Sequence, residues 1–240
     1  MPLVFIHGFG ADLGTWMFNQ PRLAQRRRTV ALDLPGHGGS TKTVGAGNRE
    51  TMTAVIAESL EALGIDRAHL VGHSLGGAIA ASLAIRQPAS AASLTLIGPA
   101  GFGPEINQAF IDGFVRAERR KEVADLLALL VHDPALVSRR MIEDVLRYKR
   151  LDDVPEALAA ISGAWFAGGR QSVDLAAEIA DLETPLQVMW GARDRILPPS
   201  HAQRLAARGP IHILADSGHI PHMEQANEVT RLIQQFIEGA

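Results

Sequence analysis

The 240-residue chain has no cysteine, which removes disulfides, thiolate metal sites and a cysteine nucleophile together. It also lacks an excess of either charge. A formal net charge of −3 provides no field-scale attraction to nucleic acid or to an anionic membrane, so a small neutral or mildly charged partner fits better. Long apolar runs are missing too. Residues 1–7 run into a strand-like segment without a basic leader, and residues 124–131 are too short to cross a bilayer. The expected setting is the cytoplasm, with neither membrane nor nucleic acid as partner. There is no internal repeat and no low-complexity stretch. What is present is apolar material, 47% of the residues, enough for the core of about one domain.

That material is ordered. Short apolar runs at residues 3–6, 29–33, 69–71 and 93–97 show no polar alternation, and amphipathic stretches separate them. Met52, Val55, Ile56, Leu60 and Leu63 share one helical face, as do Leu75, Ala78, Ile79, Ser82 and Leu83. Strands without alternation, joined by helices, predict a parallel sheet covered on both faces. The rhythm breaks after Gly98-Pro99. From residue 101 to 181 the pattern is helical, in blocks around Phe110 and Phe114 and then at 123–131, 136–148 and 154–166. Strand-like runs return at 186–190 and 211–214, ahead of a closing helix striped by Val229, Leu232, Ile233, Phe236 and Ile237. The expectation is an α/β core of residues 1–100 and 182–240, interrupted by a helical cap at 101–181.

Gly72-His73-Ser74-Leu75-Gly76-Gly77 falls between a strand and a helix, the context in which G-x-S-x-G marks a sharp turn that lifts a serine hydroxyl clear of the sheet. A serine nucleophile needs a base, and the base needs an orienting carboxylate. Trp190-Gly191-Ala192-Arg193-Asp194 follows one later strand and Asp216-Ser217-Gly218-His219 the next, so acid and base are expected on adjacent loops. The candidate triad is Ser74, Asp194 and His219. Alternatively, Asp194 caps the helix near Pro198-Pro199 and His219 caps the last helix. His7-Gly8-Phe9-Gly10 follows the first strand, where the Phe9 N–H, paired with that of Leu75, is placed to form an oxyanion hole.

Asp33-Leu34-Pro35-Gly36-His37-Gly38-Gly39-Ser40 follows the second strand and is glycine-rich, yet it lacks the Lys-Ser/Thr ending and the spacing of a phosphate loop. It reads as a turn bringing His37 and Ser40 near a pocket mouth. His219 and His222 do not form an H-E-x-x-H pair, and no metal site is expected.

Taken together, these motifs resemble the α/β-hydrolase superfamily over nearly the whole chain. Ser74 in place of aspartate speaks against the haloalkane dehalogenases and epoxide hydrolases of that superfamily. His73 stands where its meta-cleavage C–C hydrolases usually have asparagine. Residues 100–107, 113–117 and 147–152 are similar to the hydrolase-type catalytic domain of acetoin dehydrogenase E2 acetyltransferases. That resemblance implies acetyl transfer between a lipoyl thiol and coenzyme A. The superfamily resemblance also implies an antiparallel strand pair ahead of residues 3–6; those first two strands are expected to be absent. Residues 29–33 would then carry an open edge, covered in a homodimer, or the chain would be part of a longer parent.

The reading is a serine hydrolase of carboxylic esters or thioesters, working through an acyl-enzyme on Ser74 without a cofactor. Acyl transfer to dihydrolipoamide or coenzyme A is the first alternative, and a ligand-binding module with little turnover the second. His73, Phe102, Phe110, Phe114 and Trp165 are expected to line the substrate pocket, core packing of these aromatics being equally open.

Overall fold

A computed structural model describes residues 1–239. The central sheet has the order β2-β1-β3-β4-β7-β8, built from β1 (Leu3–Ile6), β2 (Thr29–Leu32), β3 (Ala68–His73), β4 (Ala91–Ile97), β7 (Leu186–Gly191) and β8 (Ile211–Leu214). Every pairing in it is parallel. The strands of its centre are wholly buried, which is why they read as largely apolar runs; polar side chains within them pair with one another, His69 Nδ1 with Ser93 Oγ at 2.8 Å and Gln187 Nε2 with Thr95 Oγ1 at 2.9 Å. Alternate residues nevertheless go to different cores. Val4 and Ile6 join one cluster with Ile79 of α3 (Leu75–Arg86) and Ile56 of α2 (Arg49–Ala62). Leu3 and Phe5 join the other, with Leu23 of α1 (Gln20–Ala24) and Val229 and Ile233 of α10 (Ala226–Gly239). Helices therefore cover both faces. β2 is an edge, paired with β1 alone among the described residues, and its four residues are half-buried.

Between β4 and β7 lies a helical insertion: α4 (Gln108–Arg116), α5 (Arg120–Leu130), α6 (Arg139–Lys149), α7 (Val154–Trp165) and the short α8 (Ala176–Ala180). Local chemistry starts these helices where they start. Asn107 Oδ1 accepts from the Phe110 N–H, Ser138 Oγ from that of Met141, and the Glu122 carboxylate from those of Glu118 and Arg119. A two-residue antiparallel pair, β5 (Phe166–Ala167) with β6 (Arg170–Gln171), follows α7. The periodicity gave no sign of it, since two residues are too few to alternate. The last short helix before α10 is α9 (Pro221–Glu224). No helix among the described residues is long and apolar enough to cross a membrane.

Candidate active site

Close approach of strand and helix forces the turn at Ser74. A Cβ on Gly72 would fall 2.4 Å from the Gly76 carbonyl oxygen, and one on Gly76 would fall 2.3 Å from those of Ile6 and His7. Neither position can carry a side chain. Ser74 itself adopts φ 52° and ψ −119°, a conformation that costs a non-glycine residue about 1–3 kcal/mol and persists where the surroundings over-determine it. They do so here: the Ser74 N–H donates to Ile97 O at 3.0 Å, and its carbonyl accepts from Gly77, Ala78 and Ala100.

The loops after β1 and β2 interlock through two histidines. His7 Nδ1–H donates to Gly8 O at 2.8 Å while its Nε2 accepts from the Leu34 N–H at 3.0 Å. His37 repeats the arrangement, Nδ1–H to Pro35 O at 3.0 Å and Nε2 from the Gly10 N–H at 3.0 Å. Each ring presents a bare Nε2 to an amide and must be neutral. Burial lowers the pKa of both, that of His37 to about 3. The expectation that His37 lies near a pocket mouth is thus corrected: it is fully buried and supports the loop that carries Phe9. Asp33 completes the brace, accepting from Leu13 and Gly39 at 2.7 Å each. Among the described residues, neither the Phe9 N–H nor the Leu75 N–H donates to a protein carbonyl.

Asp194 and His219 meet across the ends of β7 and β8. His219 Nδ1 lies 2.8 Å from Asp194 Oδ2. The same oxygen accepts the Trp190 indole N–H at 3.0 Å, and Oδ1 accepts from Ile196 and Leu197 at 2.8 and 3.0 Å. Asp194 therefore both caps its own turn and orients the histidine. With four donors on a carboxylate whose side chain has no exposed surface, its buried charge is fully bonded. His219 is gripped through its backbone as well, its N–H donating to Leu130 O at 2.7 Å and its carbonyl accepting from His73 Nε2–H at 2.8 Å. It does not cap the last helix.

Ser74 and His219 line one cavity of about 770 Å³, largely apolar, with Phe110, Phe114 and Phe166 on its wall. His73 reaches this cavity too, but its donor is spent on the His219 backbone, and burial holds its pKa well below the ordinary value. Phe102 and Trp165 correct the expectation. Both are core residues that do not line the cavity: Phe102 is fully buried in the main hydrophobic cluster, and Trp165 ends an apolar stripe of α7 that turns inward, its Nε1–H donating to Gly47 O at 2.8 Å. The sequence patterns assign no role to Tyr148, Trp190 or Glu224. Only Trp190 carried a signal, standing four residues before Asp194 at a strand end. Among the described residues, no cluster of three or more His, Asp or Glu is placed to hold a metal ion.

A strained serine at a strand-to-helix turn, sharing an apolar cavity with a carboxylate-oriented histidine, defines a class of site found in serine hydrolases. The chain belongs to the α/β-hydrolase fold family, whose model matches residues 1–226. It is 42% identical over 237 residues to the dihydrolipoyllysine-residue acetyltransferase component of the acetoin cleaving system of Cupriavidus necator, covering 99% of this chain and 63% of that relative. It is 32% identical over 251 residues to the 2-hydroxymuconate semialdehyde hydrolase of Pseudomonas sp. strain CF600, covering 100% of this chain and 87% of the relative. The fold matches that of a meta-cleavage product hydrolase from Pseudomonas fluorescens with a TM-score of 0.90 at 22% identity, covering 100% of this chain and 91% of the other.

Proposed function

We propose that this chain is a serine hydrolase of carboxylic esters or thioesters, acting through an acyl-enzyme on Ser74. One observation carries the reading: Ser74 stands on its strained turn in the same cavity as His219, whose Nδ1 is bonded to the buried Asp194. With Nδ1–H held by the carboxylate, His219 Nε2 is the atom left to take the serine proton. Ser74 Oγ then attacks the acyl carbonyl, and the Phe9 and Leu75 N–H groups receive the oxyanion, each typically worth ~3 kcal/mol in the transition state. The leaving group departs with the proton from His219. Water, activated by the same base, releases the acid.

The relationship to the acetoin cleaving relative, 42% identical over 237 residues, supports a second reading, in which a thiol such as dihydrolipoamide or coenzyme A resolves the acyl-enzyme. The chain spans 63% of that relative's length, and the transfer would run in the cytoplasm. A homodimer closed over the open edge of β2 belongs to the same proposal, and light scattering reads it directly. A binding module with little turnover is the reading to be defeated.

The experiment is a burst assay with 4-nitrophenyl esters, in water and with added thiols. A burst equal to the enzyme concentration, absent in Ser74→Ala and His219→Ala, supports the acyl-enzyme; the two variants should lose kcat by about the same factor, as members of one unit do. Faster turnover with a thiol, and recovery of the acylated thiol, selects transfer. Turnover retained in Ser74→Ala overturns the assignment.

A further inference from the structure

The helical insertion does more than wall the cavity; it is bonded to both loops that carry the acid and the base. Asn107, which opens α4, donates its side-chain amide to Arg195 O and its backbone N–H to Ile196 O, each at 2.9 Å. In return the Arg195 guanidinium, one residue beyond Asp194, donates to Ala128 O and to Val131 O at the end of α5. The His219 N–H donates to Leu130 O on the same turn.

Glu224 closes this set of contacts. Its Oε1 accepts from the Gly218 N–H at 2.7 Å, beside His219, and its Oε2 accepts from the His132 N–H at 2.6 Å, just past α5. One half-buried carboxylate thus bridges two backbone segments that are distant in sequence. Among the described residues it has no ion-pair partner, so backbone amides account for its bonding. The fit is close: a Cβ on Gly218 would fall 2.6 Å from Leu130 O. The side chains of Leu127, Leu130 and Val131 meanwhile face the cavity that Ser74 and His219 share.

We infer that Glu224 is a positioning residue: its carboxylate locks the His219 loop to the last turn of α5, so that an acyl group pressing on Leu130 and Val131 sets how well the base is aimed. The inference rests on the serine-hydrolase reading. It gives the insertion a part in the chemical step as well as in binding, because a misplacement of about 1 Å in a reacting group can cost on the order of 10²-fold in rate.

The test compares the wild type with Glu224→Gln, Glu224→Asp and Ser74→Ala. Glutamine keeps the size but turns an NH₂ toward one of the two amides; aspartate reaches only one of them. Turnover of 4-nitrophenyl acetate and hexanoate, normalised to titrated serine, and the rate of inactivation by paraoxon are measured at a temperature where melting curves show every protein folded. In at least one folded Glu224 variant, kcat should fall about tenfold with KM changed less than twofold, and inactivation should slow in parallel, the loss of one charge-assisted bond being of that order. The ratio of kcat for hexanoate to kcat for acetate should move toward one. If Tm falls while kcat per serine and the paraoxon rate stay at wild-type values, and Ser74→Ala is inert, Glu224 is merely structural and the inference fails alone. Turnover surviving in Ser74→Ala removes the reading beneath it.

Discussion

The indole N–H of Trp190 donates to Asp194 Oδ2 at 3.0 Å, the oxygen that also receives His219 Nδ1. The penultimate residue of β7 thus turns its side chain back to hold Asp194, four positions on. Trp190 is fully buried, and water cannot replace it. Trp190→Phe keeps most of the packing and removes the donor. Since hydrogen bonds to charged groups contribute about 1.5–3 kcal/mol, kcat should fall about tenfold or more, with KM little changed. Steady-state kinetics with a 4-nitrophenyl ester decide this, and a kcat equal to wild type would mean that the backbone amides of Ile196 and Leu197 hold Asp194 unaided.

Two aspartates precede His219 on the last two strand-end loops, and only one touches it. Asp194 lies against His219 Nδ1, whereas Asp216 is exposed. Asp194→Asn should lower kcat on the order of 10⁴-fold by favouring the wrong imidazole tautomer. Asp216→Asn should leave it unchanged. The reverse result would move the acid to Asp216.

These pairs show what the sequence could and could not convey. Strand runs and the G-x-S-x-G turn were legible because a parallel strand buried on both faces is largely apolar and because Gly72 and Gly76 have no room for a Cβ. Order along the chain was enough to bring Asp194 and His219 to neighbouring loops. The direction of a helical side chain was not legible: on α7, Trp165 faces the core while the adjacent Phe166 reaches the cavity. Nor was the bonding of His7, His37 and His73, since a histidine that accepts from an amide carries the same letter as one that moves a proton.

The aromatics of the insertion accordingly divide in two. Phe110 and Phe114 line the cavity, and their replacement by alanine should shift preference among acyl chains more than it lowers turnover of the acetate ester. Trp165→Phe should do the opposite. It leaves Gly47 O without its donor, a loss of about 1–3 kcal/mol in stability, and should not alter the chain-length profile. A kcat/KM series from acetate to decanoate, run beside urea melts, separates the two; a profile altered equally by all three variants would mean that the aromatics act through folding.

Acid stability follows from the buried histidines. His37 accepts from the Gly10 N–H, and His222 Nε2 lies 2.8 Å from Thr15 Oγ1. Burial lowers the pKa of both to about 3, with His7 adding to the effect on His37 and His219 to that on His222. In the unfolded chain each should titrate near the ordinary histidine value of about 6.5. As the pH falls below that value the unfolded state takes up protons that the native state refuses, and stability drains away until the folded pKa is passed. Above pH 6.5 the two contribute no slope. Within the window each histidine costs about 1.4 kcal/mol per pH unit, so that at pH 5 the pair removes roughly 4 kcal/mol from a stability that is commonly 5–15 kcal/mol. Urea unfolding between pH 7.5 and 4.5 should therefore show a flat region followed by a steep decline. His222→Phe keeps a ring against Trp16, whose centroid lies 4.6 Å from that of His222, and cannot take a proton. Its decline should be shallower than wild type by about 1.4 kcal/mol per pH unit, whatever its stability at pH 7.5. An identical slope in wild type and variant would show that His222 charges within the folded protein, and the account of a neutral buried ring would be wrong.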